Sequence, residues 1–492
     1  RRPALAGASR CGQTQPMGQE IASDETFDED AFLERLRDET RLVMGWFRDG
    51  AFEKADPPLI GAEVEGWLLD GDLMPSPRNL EFLSAADRTG LDAELSQYNF
   101  ELNLDPVSLA GDGLKRLEDS IGALWSHCCA AGSAMGLNAA MVGMPPTLRE
   151  GMLDLEAMTP SNRYRALNDR VMHLRGGAPL AYDIEGRERL ELVESHLMME
   201  AACTSLQTHL NIHPDHQARQ FNAALIASAP VLAASANSPY LYGRRLWEET
   251  RIPAFEQAIR ILSFKDKAGR AVGRVDFGTG YVRKSLMELF LENLDGHAPL
   301  LPVVEDTPAE RLRHFKLQNG TLWRWNRPIV DTNKAGTPHL RLENRITPAG
   351  PTVVDMTANA AFLIGLVLHL AGEEAPPETR LPFEAARENF YAAAKSGFGA
   401  PVTWLDGESG DLQALVAGRL ADQAEAALLK ADVDRHVARR LIDIIRKRAR
   451  TGQTGAAWQR AWVNCNGRDF QGLMEAYLGF QTKGAPVHTW TV

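Results

Sequence analysis

The chain has 492 residues, of which 44% are hydrophobic, and this is enough to bury one large core with an appendage or two. Its formal net charge of −12 argues against a general nucleic-acid-binding protein, because such proteins carry a surplus of lysine and arginine for phosphate contacts. The five cysteines show no C-x-x-C pair and no disulfide-framework spacing, so we expect a cytoplasmic location.

The predicted elements begin after a polar, basic segment, residues 1–27, which we expect to be disordered. Helical spacing of apolar residues predicts a helix over 29–48. The next segment, 59–70, has the composition of a strand and carries Glu63 and Glu65. Because strand side chains alternate, both carboxylates leave the same face of the sheet.

Further strands and helices follow at long spacing. The patterns predict a strand at 93–104, a helix at about 114–131, a short strand at 137–146, a helix near 163–174, a strand at 204–213, a helix at 219–236 with a proline kink or break, a helix at 281–294, strands at 321–330 and 339–347, and a helix at 352–370. Without βαβ alternation at short spacing, an α+β fold is favoured, with a mostly antiparallel sheet of about six strands covered by helices.

The last part of the chain is predicted to be helical. Residues 396–411 form the best candidate hinge, so we expect a catalytic domain at 28–395 and a helical C-terminal region at 396–492. A basic amphipathic helix at 435–450 is interpreted as a solvated helix packed by one face, with a phosphate- or membrane-facing role as the alternative. The most apolar run, 360–372, is too short to span a membrane and suits a buried helix, so we expect no membrane partner.

In four of the predicted strands, polar side chains line one face and apolar side chains line the other. A sheet with one face in water would also alternate, but it would admit lysine freely, and these stripes contain none. A shared polar pocket, forming the concave face of the sheet, is therefore favoured. Its members are Glu63 and Glu65; Gln97, Asn99, Glu101 and Asn103; Ser205, Gln207, His209, Asn211 and His213; and His339, Arg341, Glu343 and Arg345.

Converging carboxylates need a cation. Two like charges about 4 Å apart repel by about 4 kcal/mol at an effective dielectric constant near 20. Oxygen ligands of this kind suit Mg²⁺ or Mn²⁺, whereas Zn²⁺ is less apt because His209 and His213 have no accompanying thiolate motif. Carboxylates with nearby arginines suggest a nucleoside triphosphate bound through metal ions.

Other common catalytic motifs are absent from the sequence. It contains no G-x-x-x-x-G-K-[ST] loop, no G-x-G-x-x-G, no G-x-S-x-G and no H-E-x-x-H. A covalent serine or cysteine nucleophile therefore has no support.

Several motifs, taken in order, resemble the glutamate–cysteine ligases and related carboxylate–amine ligases, which have a glutamine-synthetase-like catalytic fold. The segments that carry the resemblance are GAEVEGWLLD, QYNFELNL, TPSNRYRALNDRVMHLRG, TSLQTHLNI, SANSPYLYGRRLWEETR and HLRLENR, which together cover roughly 59–370. Each motif is weak alone, but their order over this span is fairly specific.

The resemblance implies a mechanism and a set of roles. ATP phosphorylates the side-chain carboxylate of glutamate, and an amine then displaces phosphate from the acyl phosphate. Glu343 and Arg345 are the expected catalytic pair, with Arg345 facing the phosphates; Arg324 and Arg327 are interpreted as flanking the nucleotide or the substrate. The implied Mg²⁺ (or Mn²⁺) ligands are Glu63, Glu65, Glu101, His209 and Glu343, and the candidates for the glutamate and amine pockets are Gln207, Asn211, Tyr240, Trp247 and Arg251.

The identity of the amine stays open. The segments 321–330 and 345–355 depart from the pattern of the glutathione-making enzymes, and the loop between Ser238 and Arg251 is compressed. The expected partners are thus ATP, glutamate and a small amine, with cysteine as the best guess and another amine as an alternative. A metal-dependent hydrolase built on the same carboxylates, or a non-catalytic binding protein, are the other hypotheses.

Overall fold

The structure is a computed structural model that describes residues 27–262, 264–266 and 269–492. The segment expected to be disordered lies outside these ranges except for Phe27, which pairs with Val303 in an isolated antiparallel bridge.

Within the described residues, the strands form one large sheet and four two-stranded sheets. In chain order they are β1 Leu59–Leu69, β2 Leu91–Ala93, β3 Asn99–Asn103, β4 Val107–Ser108, β5 Asn138–Ala140, β6 Leu180–Glu185, β7 Arg189–Glu194, β8 Ser205–Asn211, β9 Tyr240–Leu241, β10 Arg244–Arg245, β11 Phe264–Lys265, β12 Ala271–Val272, β13 Asn326–Thr332, β14 Pro338–Pro348, β15 Pro401–Thr403 and β16 Ser409–Asp411.

The α-helices cover the sheet and form most of the C-terminal part. They are α1 Glu29–Asp49, α2 Asn79–Ala86, α3 Gly113–Ala134, α4 Asn162–Leu174, α5 Gln217–Ser235, α6 Arg251–Ala258, α7 Met287–Gly296, α8 Arg313–Gly320, α9 Val353–Gly372, α10 Phe383–Ser396, α11 Leu412–Leu415, α12 Ala421–Lys430, α13 Arg435–Thr451, α14 Gly455–Asn466 and α15 Phe470–Lys483.

The large sheet is antiparallel throughout, in the order β13-β14-β8-β1-β3-β2, and the short strands β4 and β5 pair with the two ends of β1. This confirms the predicted α+β class and the sheet of about six main strands. The register sets Glu65 opposite Glu101, Glu63 opposite Gln207 and Glu343 opposite His209. The predicted polar stripes therefore do lie on neighbouring strands.

The opposite face of the sheet forms the core. Ile60, Ala62 and Val64 of β1 are buried, and their register partners include Leu210 and Leu206. Helix α5 packs on β14 and α9 packs on α5, so the sheet is followed by two helical layers. The sequence predicted that a proline would either kink or break this helix. Pro230 lies inside α5 and the helix continues past it, so the helix is not broken.

The predicted strand at 93–104 is wrong in its middle. The chain turns between β2 and β3, which pair with each other so that Ala93 lies opposite Phe100. The Nε2 of Gln97, in this turn, donates to the carbonyl oxygens of Glu156 and Met158, so Gln97 leaves the polar stripe. The sequence also did not predict the β6–β7 hairpin, whose strands show the alternation of buried and exposed residues of a strand pair facing solvent on one side.

The apolar run in α9 is longer than predicted. The helix spans 20 residues with a mean hydropathy of 1.7, so by length and composition it could cross a membrane, contrary to our expectation of too short a run. However, 78% of the most apolar 18-residue stretch of this helix is buried inside the protein, as in the core helix of a folded domain. Thr352 is the N-cap residue of this helix, and its hydroxyl oxygen accepts the backbone N–H of Asp355.

Candidate active site

Two groups of side chains that could bind a metal ion, each member buried or partly buried, lie on the polar face of the sheet. In the first, ligand atoms of Glu63, His209 and Glu343 all lie within 4.8 Å of one another. These residues come from the adjacent strands β1, β8 and β14, so antiparallel pairing alone brings them together. The Nε2 of His209 lies 3.3 Å from a carboxylate oxygen of Glu63. Burial acts to raise the pKa of Glu63, but the neighbouring His209 outweighs it, and the pKa is lowered.

The second group consists of Glu65, Glu94 and Glu101, whose ligand atoms also lie within 4.8 Å of one another. The turn between β2 and β3 brings Glu94, just after β2, back towards Glu101. Burial and the surrounding carboxylates raise the pKa of Glu94 and Glu101 well above its usual range. Burial also raises the pKa of Glu65, although Arg251 and Arg345 act in the opposite direction.

Gln207 joins the two groups. Its Nε2 donates to Glu65 at 2.9 Å, and its Oε1 accepts from the Nη2 of Arg345 at 3.0 Å. Glu65 also accepts the backbone N–H and the hydroxyl of Ser205, at 2.8 and 3.0 Å. The carboxylate groups and Arg345 therefore form one connected polar network.

Two arginines flank Glu343. Arg327 lies opposite it in the β13–β14 register, and Arg345 follows it on β14. Each guanidinium donates its Nε to the carboxylate at 3.0 Å. Burial alone would raise the pKa of Glu343, but Arg327 and Arg345 overcome it and hold that pKa well below its usual range. Glu343 is therefore an ionised carboxylate at neutral pH.

A β-bulge places Arg345 in this network. The β14–β8 register shifts between Asn344 and Thr347, and the guanidinium of Arg251 bonds the carbonyl oxygens of Arg345 and Ile346, both at 3.1 Å. Arg251 was predicted to bind substrate. In the structure, its guanidinium donates hydrogen bonds to the backbone of the bulge. Asn211, another predicted substrate residue, ends β8 opposite Arg341.

Three predicted site residues contact parts of the protein outside the two acidic groups. Arg324, just before β13, donates to Glu292 and Asn293 of α7. Tyr240 packs edge-on against Phe470 at 5.2 Å between ring centroids. The indole N–H of Trp247 donates to the carbonyl oxygen of Glu185 at 2.9 Å. These three residues lie outside the strands of the large sheet, so alternation along those strands could not place them.

Sequence reasoning missed Glu94 and Glu200. Glu94 was read as the interior of a strand, and the signal that could have found it is the acidic D-A-E run before a turn. Glu200 lies in the short helical turn Met198–Ala202 before β8, where burial and the nearby Glu65 raise its pKa to about 8. Both add a carboxyl group close to Glu65, and the negative charge of Glu65 helps to raise the pKa of each.

The donor set fits a hard divalent cation. Each group offers oxygen-rich ligands, and neither ring nitrogen of His209 forms a hydrogen bond with the described residues. Neighbouring carboxylates raise one another's pKa because their negative charges repel. A bound Mg²⁺ or Mn²⁺ ion would neutralise that charge. Thiolates, which would favour Zn²⁺, are absent from both groups.

The chain is similar to known proteins in its family pattern and in its fold. The model of a family described as glutamate-cysteine ligase family 2 matches residues 59–479. No curated protein matches the chain in sequence. The structure of a glutamate–cysteine ligase from Francisella tularensis in complex with AMP superposes with a TM-score of 0.50 and 12% identity, over 87% of this chain and 89% of that one. A bifunctional glutathione synthetase from Pasteurella multocida superposes with a TM-score of 0.48 and 9% identity, over 90% of this chain and 55% of that one.

Proposed function

Because the chain belongs to glutamate–cysteine ligase family 2 and is therefore an ATP-dependent ligase, we propose that it joins the side-chain carboxylate of glutamate to the amine of cysteine. The observation that supports this most strongly is the pair of acidic groups connected through Gln207 and flanked by Arg327 and Arg345. A phosphoryl-transfer site needs this combination of cation ligands and fixed positive charge.

In the proposed reaction the protein positions and neutralises charge rather than supplying a nucleophile. The metal ligands would be Glu63, His209 and Glu343 in one group and Glu65, Glu94 and Glu101 in the other, and bound Mg²⁺ or Mn²⁺ would offset the charge of the triphosphate. Arg345 faces the transferring phosphoryl group, where its fixed guanidinium stabilises the charge that develops on the oxygens.

The glutamate carboxylate attacks the terminal phosphorus of ATP, and the bond to the ADP oxygen breaks. The amine then attacks the acyl carbon, loses a proton and expels phosphate. The family resemblance implies that Gln207 and Asn211 position the substrates, and in the structure Gln207 bonds Glu65 and Arg345 while Asn211 ends β8 on the same sheet. Contact of Tyr240 and Trp247 with glutamate or the amine, and of Arg324 with the nucleotide or the substrate, stays a prediction, as do the cytoplasmic location and the domain division at residue 396.

The experiment is to incubate the protein with ATP, Mg²⁺, glutamate and a panel of amines, and to measure ADP. We expect ADP to form only with metal, glutamate and an amine together, with cysteine giving the highest rate. ADP release without any amine would instead favour the hydrolase hypothesis. ATP binding without turnover for any amine would overturn the ligase proposal for this chain.

Single substitutions distinguish a loss of catalysis from a loss of folded structure. Glu343→Gln and Glu63→Gln should each reduce turnover by about 100-fold or more, because each removes a charged ligand from the cation site. The control Glu191→Gln alters an exposed glutamate of β7, whose side chain is 68% exposed, and should leave turnover unchanged. Thermal unfolding of all three variants checks that the loss is not a loss of structure.

A further inference from the structure

A third arginine, Arg341, borders the first of the two acidic groups. It lies on β14 two residues before Glu343, so strand alternation puts both side chains on the polar face. Its register partner on β8 is Asn211, two residues after His209. Arg341 therefore lies on the side of this group that is away from Arg345.

The charge of Arg341 acts on its neighbours on this face. Burial acts to raise the pKa of Glu63, and the charges of His209 and Arg341 oppose that rise. The pKa of His339, two residues before Arg341 on β14, is lowered first by burial and then by the charge of Arg341. The guanidinium is therefore close to a carboxylate of the first acidic group.

Arg341 forms no hydrogen bond with the described residues. Its Nε is closed to solvent, but its two Nη atoms are open, and the side chain as a whole is 14% exposed. The carboxylate of Asp331 on β13 lies 4.0 Å from Nη1, which is too far for a hydrogen bond. Asp331 is paired instead with Lys316 of α8 and accepts the backbone N–H of Thr332.

The other two arginines beside this group are already engaged. Arg327 and Arg345 each donate to Glu343, and Arg345 donates to Gln207 as well. A mostly buried guanidinium without a hydrogen bond is costly unless a ligand supplies acceptors. The proposed reaction brings such acceptors to this face, because the oxygens of a triphosphate match the fork of a guanidinium.

We propose that Arg341 binds the α- and β-phosphates of ATP, which stay in ADP, while Arg345 faces the phosphoryl group that is transferred. This assignment rests on the proposed ligase function, which supplies the role of Arg345. Lys316 is a positioning residue, since its pairing with Asp331 leaves the Nη atoms of Arg341 free for the nucleotide.

The test measures nucleotide binding without turnover. The full-length protein is titrated calorimetrically with adenosine, ADP and ATP in the presence of Mg²⁺ and in the absence of glutamate and amine. Arg341→Met should weaken the binding of ADP and of ATP by the same factor, about tenfold or more, and should leave the binding of adenosine unchanged. Arg341→Lys keeps the charge but loses the fork, so its affinity should lie between those of Arg341→Met and the wild type.

A titration with Mn²⁺ alone separates this role from a structural one. Arg341→Met removes a positive charge near Glu63, so the affinity for the ion should stay the same or rise. A variant with a distorted site would bind the ion more weakly. The control Arg189→Met changes an arginine of β7 whose side chain is 53% exposed, and it should alter none of these affinities.

The possible outcomes distinguish this assignment from the ligase proposal. Equal affinity of Arg341→Met and the wild type for ADP overturns the assignment, and so does a loss confined to ATP, which would place Arg341 on the transferred phosphoryl group. Weaker binding of both Mn²⁺ and nucleotide overturns it in favour of a structural role. If no amine gives turnover while the expected binding results hold, only the ligase proposal fails. If the wild-type protein binds no nucleotide, both fail.

Discussion

When the side chain of Glu94 is ionised, its charge lowers the stability of the folded protein. It is a carboxylate facing Glu65 and Glu101, and it has no arginine among the causes of its raised pKa to offset them. A carboxyl group whose pKa is raised on folding stabilises the protein below its ordinary pKa of 4.5, and this contribution is lost as the pH rises through the raised value. At neutral pH the metal-free site should therefore weaken the fold, and a cation should restore it.

Glu94→Gln should separate these two effects. The variant loses a ligand, so its affinity for Mg²⁺ or Mn²⁺ should fall by about tenfold or more. It also loses a repulsive charge, so without metal it should unfold at a higher temperature than the wild type at about pH 8 and show little difference at about pH 4. Calorimetric metal titration and thermal unfolding measure the two quantities.

Wild-type metal affinity should also rise with pH, because the protons held by Glu94 and Glu101 must leave before the cation binds. The exposed control Glu191→Gln should change neither affinity nor its pH dependence. Equal metal affinity in Glu94→Gln and wild type would remove Glu94 from the ligand set.

The β-bulge in β14 lies directly beside the acidic groups, at Arg345, which bonds Glu343 and Gln207. An undistorted β14 would keep strict alternation past Asn344, whereas the observed register gains one residue before Thr347. Arg251 stabilises the bulge through two carbonyl bonds and is itself buried, with Glu249 as its ion-pair partner. Bulges are common beside active sites because they redirect a side chain.

Arg251→Lys tests whether this arginine acts through the bulge. A lysine cannot bond both carbonyls in the same plane, so the free energy of unfolding should fall by about 2–4 kcal/mol. The affinity for ATP–Mg²⁺ should fall as well, because Arg345 loses its fixed backbone. Urea unfolding and ATP titration check this. An increase in the KM for glutamate with unchanged stability and ATP affinity would instead support the substrate role predicted from sequence.

Alternation in regular strands was enough to predict most of the carboxylate site. Glu63, Glu65, Glu101, His209 and Glu343 lie together because ladder pairing converts period-two patterns into a shared face. Turns and bulges have no such period. For that reason the sequence did not place Glu94, which lies between β2 and the turn that leads to β3, or reveal that the guanidinium of Arg251 bonds the backbone of the bulge.

The C-terminal part of the chain is bonded into the core at several points. The guanidinium of Arg448 on α13 is 1% exposed and bonds Asp355 at 2.8 Å, Asn359 and the carbonyl oxygen of Ala234. Tyr477 and Gln481 on α15 bond the backbone of Met141, which follows β5 in the large sheet. The family match also runs through residue 396 to residue 479. These contacts suggest that 28–395 and 396–492 fold as one unit.

Arg448→Met tests, in the full-length protein, whether 28–395 and 396–492 fold as one unit. It leaves the buried carboxylate of Asp355 without its cation, so the free energy of unfolding should fall by about 3–5 kcal/mol, measured by urea unfolding. The control Arg439→Met on the same helix removes an exposed pair with Glu425 and should cost at most about 1 kcal/mol. A fragment of residues 28–395 should fail to fold, because it exposes the apolar surface of α9 that α12 and α13 cover. A soluble fragment with cooperative unfolding would instead establish the domain boundary predicted from sequence.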